Sequence, residues 1–367
     1  MALSEVRIEK AMLEMAKSHP GLRSVLTEVA SERESRQWVH AEEDSLACAL
    51  FVREEVRSDL VADEMSLLVG QMASRFDVVA GITWGVIQLR TGSSEHLVFV
   101  FNHIVCDFLS ASQFIRTFIR AYTHDGALPG SRDTYLQYLC GLEEAWTTQP
   151  VDEVLWWHDR PWASIPALPE SQLQSAPIRR TPRVDVLHER DLATDRLTEG
   201  SLIQAVEQGL RDVTNLAVTR VDAAVHGRAT RLERSAGGWV SHALPYIRGG
   251  SGQSSDFEDT RRCATSWPAA FRSVRSRADL SMEHHLRAHA FVNFFGSSDP
   301  LQWTVEGFRM SPVQPAYQAP GRSSLTPIHL KVRKGHEKWT FVWSLAGDDI
   351  QAAVADQVVR TLTRRAA

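Results

Sequence analysis

HLVFVFNHIVCDFLSASQFIRTFIRAY, residues 96–122, begins as a strand pattern and ends as a helical one, with His103 and Asp107 where the two meet. Up to Asn102 the apolar residues form a run of aromatic and β-branched side chains. Beyond it they fall at Phe114, Ile115, Phe118, Ile119 and Tyr122, the spacing of one buried helix face, with Ser110 or Ser112 expected as the cap. Ionisable groups are costly to bury without partners, so two of them where the chain leaves its core require a reason. An imidazole that titrates near neutrality can accept a proton from an amine or hydroxyl as it attacks a carbonyl. The aspartate can orient the turn through a charge-assisted bond to an arginine. Ordinary structure offers other roles, a satisfied interior histidine and a helix-capping aspartate, and this stretch alone leaves both open.

Upstream, ITWGVIQLR (82–90) and EHLVFVFNH (95–103) flank TGSS, which predicts an antiparallel hairpin. Earlier still, Ile8, Met12, Leu13 and Met15 predict a helix over 6–17, ended by His19-Pro20-Gly21 because proline lacks a donor and disfavours helix before it. LRSVLTEV (22–29) and RQWVHA (36–41) read as short strands, and MSLLVGQMASRF (65–76) as a second helix. Downstream, residues 160–185 contain five prolines and no apolar period, which predicts an extended crossing. After it come an amphipathic helix at 201–214, a strand at 216–228 leaving through a glycine turn, and a loop at 248–259. Late strands at 289–296, 327–334 and 338–345 precede a closing helix at 348–366, acidic at its start and basic at its end. The pattern is α/β, in an N-terminal lobe (1–160), a crossing segment (161–190) and a C-terminal lobe (191–367).

The 367-residue length suits two lobes, and 43% hydrophobic with 23% charged residues is the composition of a globular protein. A net charge of −5 without a long basic run argues against nucleic-acid or anionic-membrane binding. No apolar run approaches the ~18 residues of a membrane span, and the start of the sequence lacks the apolar block of a secretion signal. Cys48, Cys106, Cys140 and Cys263 lie far apart with no CxxC pair, as expected of reduced thiols in the cytoplasm. No GxGxxG, GxxxxGK[ST] or GxSxG pattern marks a nucleotide site or a serine-hydrolase elbow.

NHIVCDFLSASQFIRTFIRAY (102–122) resembles the HHxxxDG core of the condensation domains of nonribosomal peptide synthetases and their chloramphenicol-acetyltransferase-like relatives. Other matches follow in the family's order: AMLEMAKSHPGLRSVLTEV (11–29), EVLWWHDRPWASIPALP (153–169), AVHGRATRLERSAGGWVSHALPYI (224–247), HAFVNFFG (289–296) and PIHLKVRKGHEKWTFVWSL (327–345). The resemblance implies two chloramphenicol-acetyltransferase-like α/β lobes in a V-shaped pseudo-dimer with a central tunnel. It assigns His103 as the motif's second histidine, a general base or positioner of the nucleophile. It makes Asp107 structural and Arg228 its salt-bridge partner across the lobes. Breaking a buried pair of that kind costs about 3–5 kcal/mol.

Three departures from the family pattern stand out. Asn102 replaces the first motif histidine, Phe108 replaces the motif glycine, and the strand and loop ahead of the first helix are shortened or missing. A phenylalanine ring in place of glycine would fill space beside His103.

The implied activity is that of a stand-alone condensation-type acyltransferase of specialised metabolism. It would form an amide or ester from a carrier- or coenzyme A-bound thioester, with no bound cofactor, no metal and no covalent acyl-enzyme. Its expected partners are a discrete acyl or peptidyl carrier protein and a small-molecule acceptor, and the expected state is a monomer. Two rivals remain: epimerization, dehydration or cyclisation of a tethered intermediate on the same fold, and a non-catalytic protein that docks carriers or recruits another enzyme.

Trp84 and Asn293 are assigned to the tunnel wall, core packing being the plainer role for Trp84 and for most of the eleven tryptophans. His285 and His289 have the i, i+4 spacing of metal ligands beside His284, but no carboxylate stands at a recognised spacing as third ligand. Glu283 lies near the region that carries a functional glutamate in epimerization-type members, without a close match.

Overall fold

The computed structural model of the protein describes residues 3–29, 34–41, 49–57, 60–92, 94–124, 134–166, 184–190, 197–228, 234, 236–238, 240–249, 257–267, 270–271, 274, 288–295, 303–305, 307–310, 327–334, 339–345 and 349–366. Its contacts divide the chain into two units. The first comprises Met1–Leu142, His226–Ser241 and Pro300–Arg322; the second comprises Glu143–Val225, His242–Asp299 and Ser323–Ala367.

The first unit opens with α1 (Glu5–Ser18), then the antiparallel pair β1 (Ser24–Val29) and β2 (Glu34–Val39). Its three-stranded sheet consists of β3 (Ala49–Glu55), β4 (Trp84–Arg90) and β5 (Glu95–Phe101), with α2 (Val61–Ser74) between β3 and β4 in sequence. Strand β3 runs parallel to β4, and β4–β5 is the hairpin expected from the TGSS turn. Alternation sends Trp84, Val86, Phe99 and Phe101 to one face, where they meet Ile8, Met12 and Met15 of α1. Helix α3 (Phe108–His124) covers the same face with Phe114, Phe118 and Ile119, each of which contributes roughly 1.5–3 kcal/mol by burial. The opposite face sets Ile87, Leu89 and Val100 against Leu68 and Met72 of α2. Helix α4 (Thr134–Thr147) follows.

In the second unit α5 (Val151–His158) leads to a six-stranded sheet of order β6-β13-β12-β9-β7-β8. Strand β6 (Val184–Arg190) precedes α6 (Glu199–Thr214), which starts at a capping box between Thr198 and Ser201. Strands β7 (Val218–Val225) and β8 (His242–Gly249) are antiparallel, α7 (Phe257–Arg262) follows, and β9 (Ala290–Phe294) runs parallel to both β7 and β12. The short pair β10 (Trp303–Val305) and β11 (Phe308–Met310) belongs to the first unit. Strands β12 (Ile328–Lys334) and β13 (Trp339–Leu345) and helix α8 (Asp349–Ala366) close the chain. Trp339, Phe341, Trp343 and Leu345 alternate inward on β13, and with Ile328, Leu330 and Val332 they join Leu202, Val206, Val354 and Val358 of α6 and α8 in one core.

Several sequence expectations need correction. Helix α3 starts at Phe108, so Ser110 and Ser112 lie inside it rather than capping it. Strands β3 and β8 and helix α4 were not anticipated. In β8 the obstacle is Pro245, tolerated because β8 is an edge strand. The proline-rich stretch ends in β6, paired with β13, while its middle, 167–183, lies outside the described residues. Most of the expected 248–259 loop is also outside them, and its last residues begin α7.

Candidate active site

The turn after β5 is held from both sides. Asn102 donates its backbone N–H to the Thr83 carbonyl oxygen at 2.7 Å, continuing the β4–β5 ladder by one bond. Its side-chain Oδ1 accepts the Ile104 N–H at 3.1 Å, and its carbonyl accepts the Val105 N–H at 3.1 Å. This is an Asx turn, in which a short amide side chain stands in for a backbone acceptor. The asparagine at the first motif position therefore fixes the loop, and His103 is displayed on it with its side chain exposed. Val105 and Cys106 turn back into the core, where burial and the neighbouring Asp107 charge push the Cys106 thiol far up and leave it unreactive.

Asp107 closes the turn and is only 5% exposed. Its Oδ1 accepts the Ser110 N–H at 2.8 Å, so it is the N-cap of α3. Its Oδ2 accepts the backbone N–H groups of Val240 at 3.0 Å and Ser241 at 3.1 Å. Arg228 Nη2 lies 2.8 Å from both carboxylate oxygens and also donates to Ser110 Oγ at 2.6 Å, while Nη1 donates to the Ala236 carbonyl at 2.7 Å. Burial alone would raise the Asp107 pKa, but the Arg228 charge and these hydrogen bonds outweigh it and hold the carboxyl below its ordinary value. The capping and arginine-binding roles weighed for Asp107 thus both hold. Both partners belong to the first unit, so the ion pair is internal to it, although in sequence Arg228 comes from the expected C-terminal lobe and Asp107 from the N-terminal one.

The segment carrying Arg228 is tied down further. Ser110 Oγ donates to the Gly238 carbonyl oxygen and accepts the Gly238 N–H at 3.0 Å. A Cβ on Gly238 would stand 2.2 Å from the Tyr135 ring, so the hydroxyl can reach this backbone only because a glycine is there. His19, from the HP turn after α1, packs on Phe114 at a ring separation of 4.7 Å, and its Nε2 pairs with Thr117 Oγ1 at 2.8 Å. Burial lowers its pKa to about 4.

The remaining sequence-derived residues fall elsewhere. Phe108 is the first residue of α3 and is half-buried. Trp84 is fully enclosed in the core of the first unit. Asn293 sits on β9 opposite Lys331, in the second unit. Glu283, His284 and His285 lie outside the described residues. His289 has both ring nitrogens engaged: Nδ1 accepts the Arg220 N–H at 2.9 Å, and Nε2 lies 2.7 Å from the Pro166 carbonyl oxygen. Among the described residues no cluster of metal-ligating side chains forms, and no helix is long and apolar enough to cross a membrane. Sequence reasoning missed the Asx role of Asn102 and the clamp at Ser110. Its nearest signal was the Gly237-Gly238 pair within the 224–247 stretch.

A family model for the condensation domain matches residues 2–195, just over half of the chain. The chain belongs to the condensation-domain family. Solved structures of condensation-type domains share its fold over nearly its whole length. The epimerization domain from the third module of tyrocidine synthetase B superposes with a TM-score of 0.69 at 15% identity, covering 98% of this chain and 89% of that one. A variant of the starter condensation domain of rhizomide synthetase in complex with C8-CoA gives 0.68 at 10% identity, with coverages of 100% and 87%. The condensation domain that mediates chain release from the enacyloxin polyketide synthase gives 0.63 at 15% identity, with coverages of 99% and 76%. No curated protein matches the sequence.

Proposed function

We propose that the protein is a condensation-type acyltransferase that joins an acyl thioester to an amine or alcohol, with His103 as general base. The observation that carries this is the exposed histidine at the motif position of a condensation-domain family member. Asp107 and the Asn102 side-chain oxygen hold the turn, and His103 is exposed on the loop they immobilise. In the reaction the nucleophile's nitrogen or oxygen bonds to the thioester carbonyl carbon and its proton passes to His103. The carbon–sulfur bond then breaks and the thiolate leaves with that proton. The condensation-domain assignment supports a thioester held on a discrete carrier protein or on coenzyme A, and the neighbour crystallised with C8-CoA is consistent with the latter. The finer architecture, two acyltransferase-like lobes with a central tunnel, is part of the same proposal, as are a cytoplasmic location and a monomeric state.

Phe108 at the motif glycine favours keeping a second reading, a protein of the same fold that docks carriers without catalysis. One experiment separates the two. Acyl-loaded carrier proteins and acyl-coenzyme A esters are incubated with amine and alcohol acceptors, and the products are followed by intact mass. The proposal expects wild-type turnover and a loss of ~100-fold or more in His103→Ala. Equal behaviour of the two proteins, with carrier binding retained, rejects catalysis at His103.

A further inference from the structure

A groove of about 990 Å³ opens on the second unit, away from any residue of the condensation motif in sequence. Three arginines line it, each from a different element: Arg211 of α6, Arg248 near the end of β8 and Arg360 of α8. Arginines gathered in this way are ordinarily matched by carboxylates. Here the carboxylates are engaged elsewhere or held back.

Asp212 is the acidic residue of the lining, and amides occupy both of its oxygens. Gln208 Nε2 donates to Oδ1, and Gln357 Nε2 donates to Oδ2 at 2.8 Å, which ties α6 to α8. Gln357 Oε1 in turn accepts Arg360 Nε at 3.2 Å. That bond steadies the Arg360 guanidinium and leaves its two terminal nitrogens uncommitted among the described residues. Arg211 makes no side-chain hydrogen bond or ion pair to any described residue. Arg248 does face a carboxylate, Glu207, but at 3.6 Å, longer than a good hydrogen bond. Glu207 is buried, and burial outweighs the nearby Arg248 and Arg211 charges and lifts its pKa to about 7. Near neutrality it is therefore protonated in a large fraction of molecules and opposes the arginines only weakly.

Helix-dipole complement explains Arg211, which stands in the last turn of α6. It does not explain Arg248, which comes from an edge strand, or an aspartate given over to two glutamines. Nor does composition, because the whole chain carries a net charge of −5. Guanidinium forks match the paired oxygens of phosphate groups. The groove is far larger than one phosphate and has the size of a small-molecule site, and three forks on three elements suit a ligand with at least two phosphate groups.

We propose that this groove binds a small molecule carrying a diphosphate group, held by Arg211, Arg248 and Arg360. All three belong to the second unit, whereas His103 belongs to the first, so the inference stands independently of the acyl-transfer reading. Inorganic pyrophosphate, a nucleoside diphosphate and coenzyme A share the required chemistry, and the test separates them.

The wild-type protein is titrated by calorimetry at low salt with pyrophosphate, ADP and coenzyme A, and with adenosine and sulfate as controls. The diphosphates should bind, adenosine should not, and sulfate should bind at least about 10-fold more weakly than the tightest diphosphate. Arg211→Gln and Arg360→Gln, which strand no partner charge, should keep the wild-type thermal midpoint and each weaken that ligand by about 10-fold or more. Arg360→Lys should recover only part of the loss, since it restores the charge without the fork. Equal affinity for the three diphosphates assigns the site to that group alone. A preference for ADP over pyrophosphate adds a nucleoside, and a preference for coenzyme A over ADP identifies the coenzyme. The inference is overturned if none of the three binds the wild type, if sulfate binds as tightly as they do, or if both glutamine variants bind them like the wild type.

Discussion

Arg228 Nη2 stands 2.8 Å from each carboxylate oxygen of Asp107, 121 residues away in the chain, and each side chain is only 5% exposed. Removing one partner strands a buried charge amid groups arranged for its opposite. Asp107→Ala and Arg228→Ala are each expected to cost about 3–5 kcal/mol in urea unfolding. The double variant should lose clearly less than the sum, because the second deletion removes the charge that the first one stranded. Additive losses would mean that the two side chains act independently. The pH dependence has a definite sign. The folded-state pKa of Asp107 is depressed, so its contribution is fully present above the unfolded carboxylate pKa of about 3.9 and is lost as pH falls through the lower folded value.

His19 gives a second pH window, at higher values. Its pKa falls from 6.5 to about 4 because the ring is enclosed against Phe114 and Thr117, so the folded state prefers it neutral. The stability that goes with the neutral ring is complete above about pH 6.5 and declines as pH drops to about 4, where the folded protein also takes up the proton. His289, also depressed by burial, acts in the same direction. The His19 share is therefore isolated by comparing wild type with His19→Gln. The variant should lose less stability over that interval, by on the order of 2 kcal/mol. Parallel curves for the two proteins would remove His19 from the acid response.

Much of this was legible before any coordinates, and what was missed has physical causes. The β4–β5 hairpin and α3 announce themselves because each buries one face, and period-2 or helical spacing records that directly. The ion pair between Asp107 and Arg228 was reached through family resemblance, since no local pattern links residues so far apart. The start of α3 was misplaced for a related reason. Serines are ordinary caps, but Ser110 spends its hydroxyl on Gly238 and Arg228, leaving the cap to Asp107. Strand β8 escaped notice because its proline is acceptable only at a sheet edge, and edge position belongs to the assembled sheet. The close approach at Gly238 is invisible in sequence, where a glycine pair looks like any turn.

That close approach makes its own prediction. A methyl group at position 238 would sit 2.2 Å from the Tyr135 ring, and the ring, only 2% exposed, has little room to retreat. Gly238→Ala should therefore destabilise the protein by about 1–3 kcal/mol through overpacking. It should also loosen the Ser110 clamp, and with it the support of Arg228. Shortening the ring with Tyr135→Leu in the same chain should return part of the lost stability, readable as a shift in thermal midpoint. If the second substitution only adds to the damage, the contact with Tyr135 is not what limits position 238.

Phe108 is the departure whose consequence is most open to experiment. It occupies the first position of α3, directly after the Asp107 cap, and is half-buried. Replacing it with glycine in the first turn should cost no more than about 1 kcal/mol of helix stability, so the variant should fold. On the acyl-transfer reading the ring takes up space beside His103 and limits the acyl group that can approach. Phe108→Gly should then raise kcat/KM for long acyl-pantetheines relative to short ones by about 10-fold or more, the discrimination typical of a methylene-sized change in an apolar pocket. Phe108→Trp should shift preference the other way. Both variants would be compared with wild type across acyl chains of increasing length, with the thermal midpoint checked for each. A length profile that neither substitution moves would place the ring outside the acyl path and leave the preference to be set by other residues.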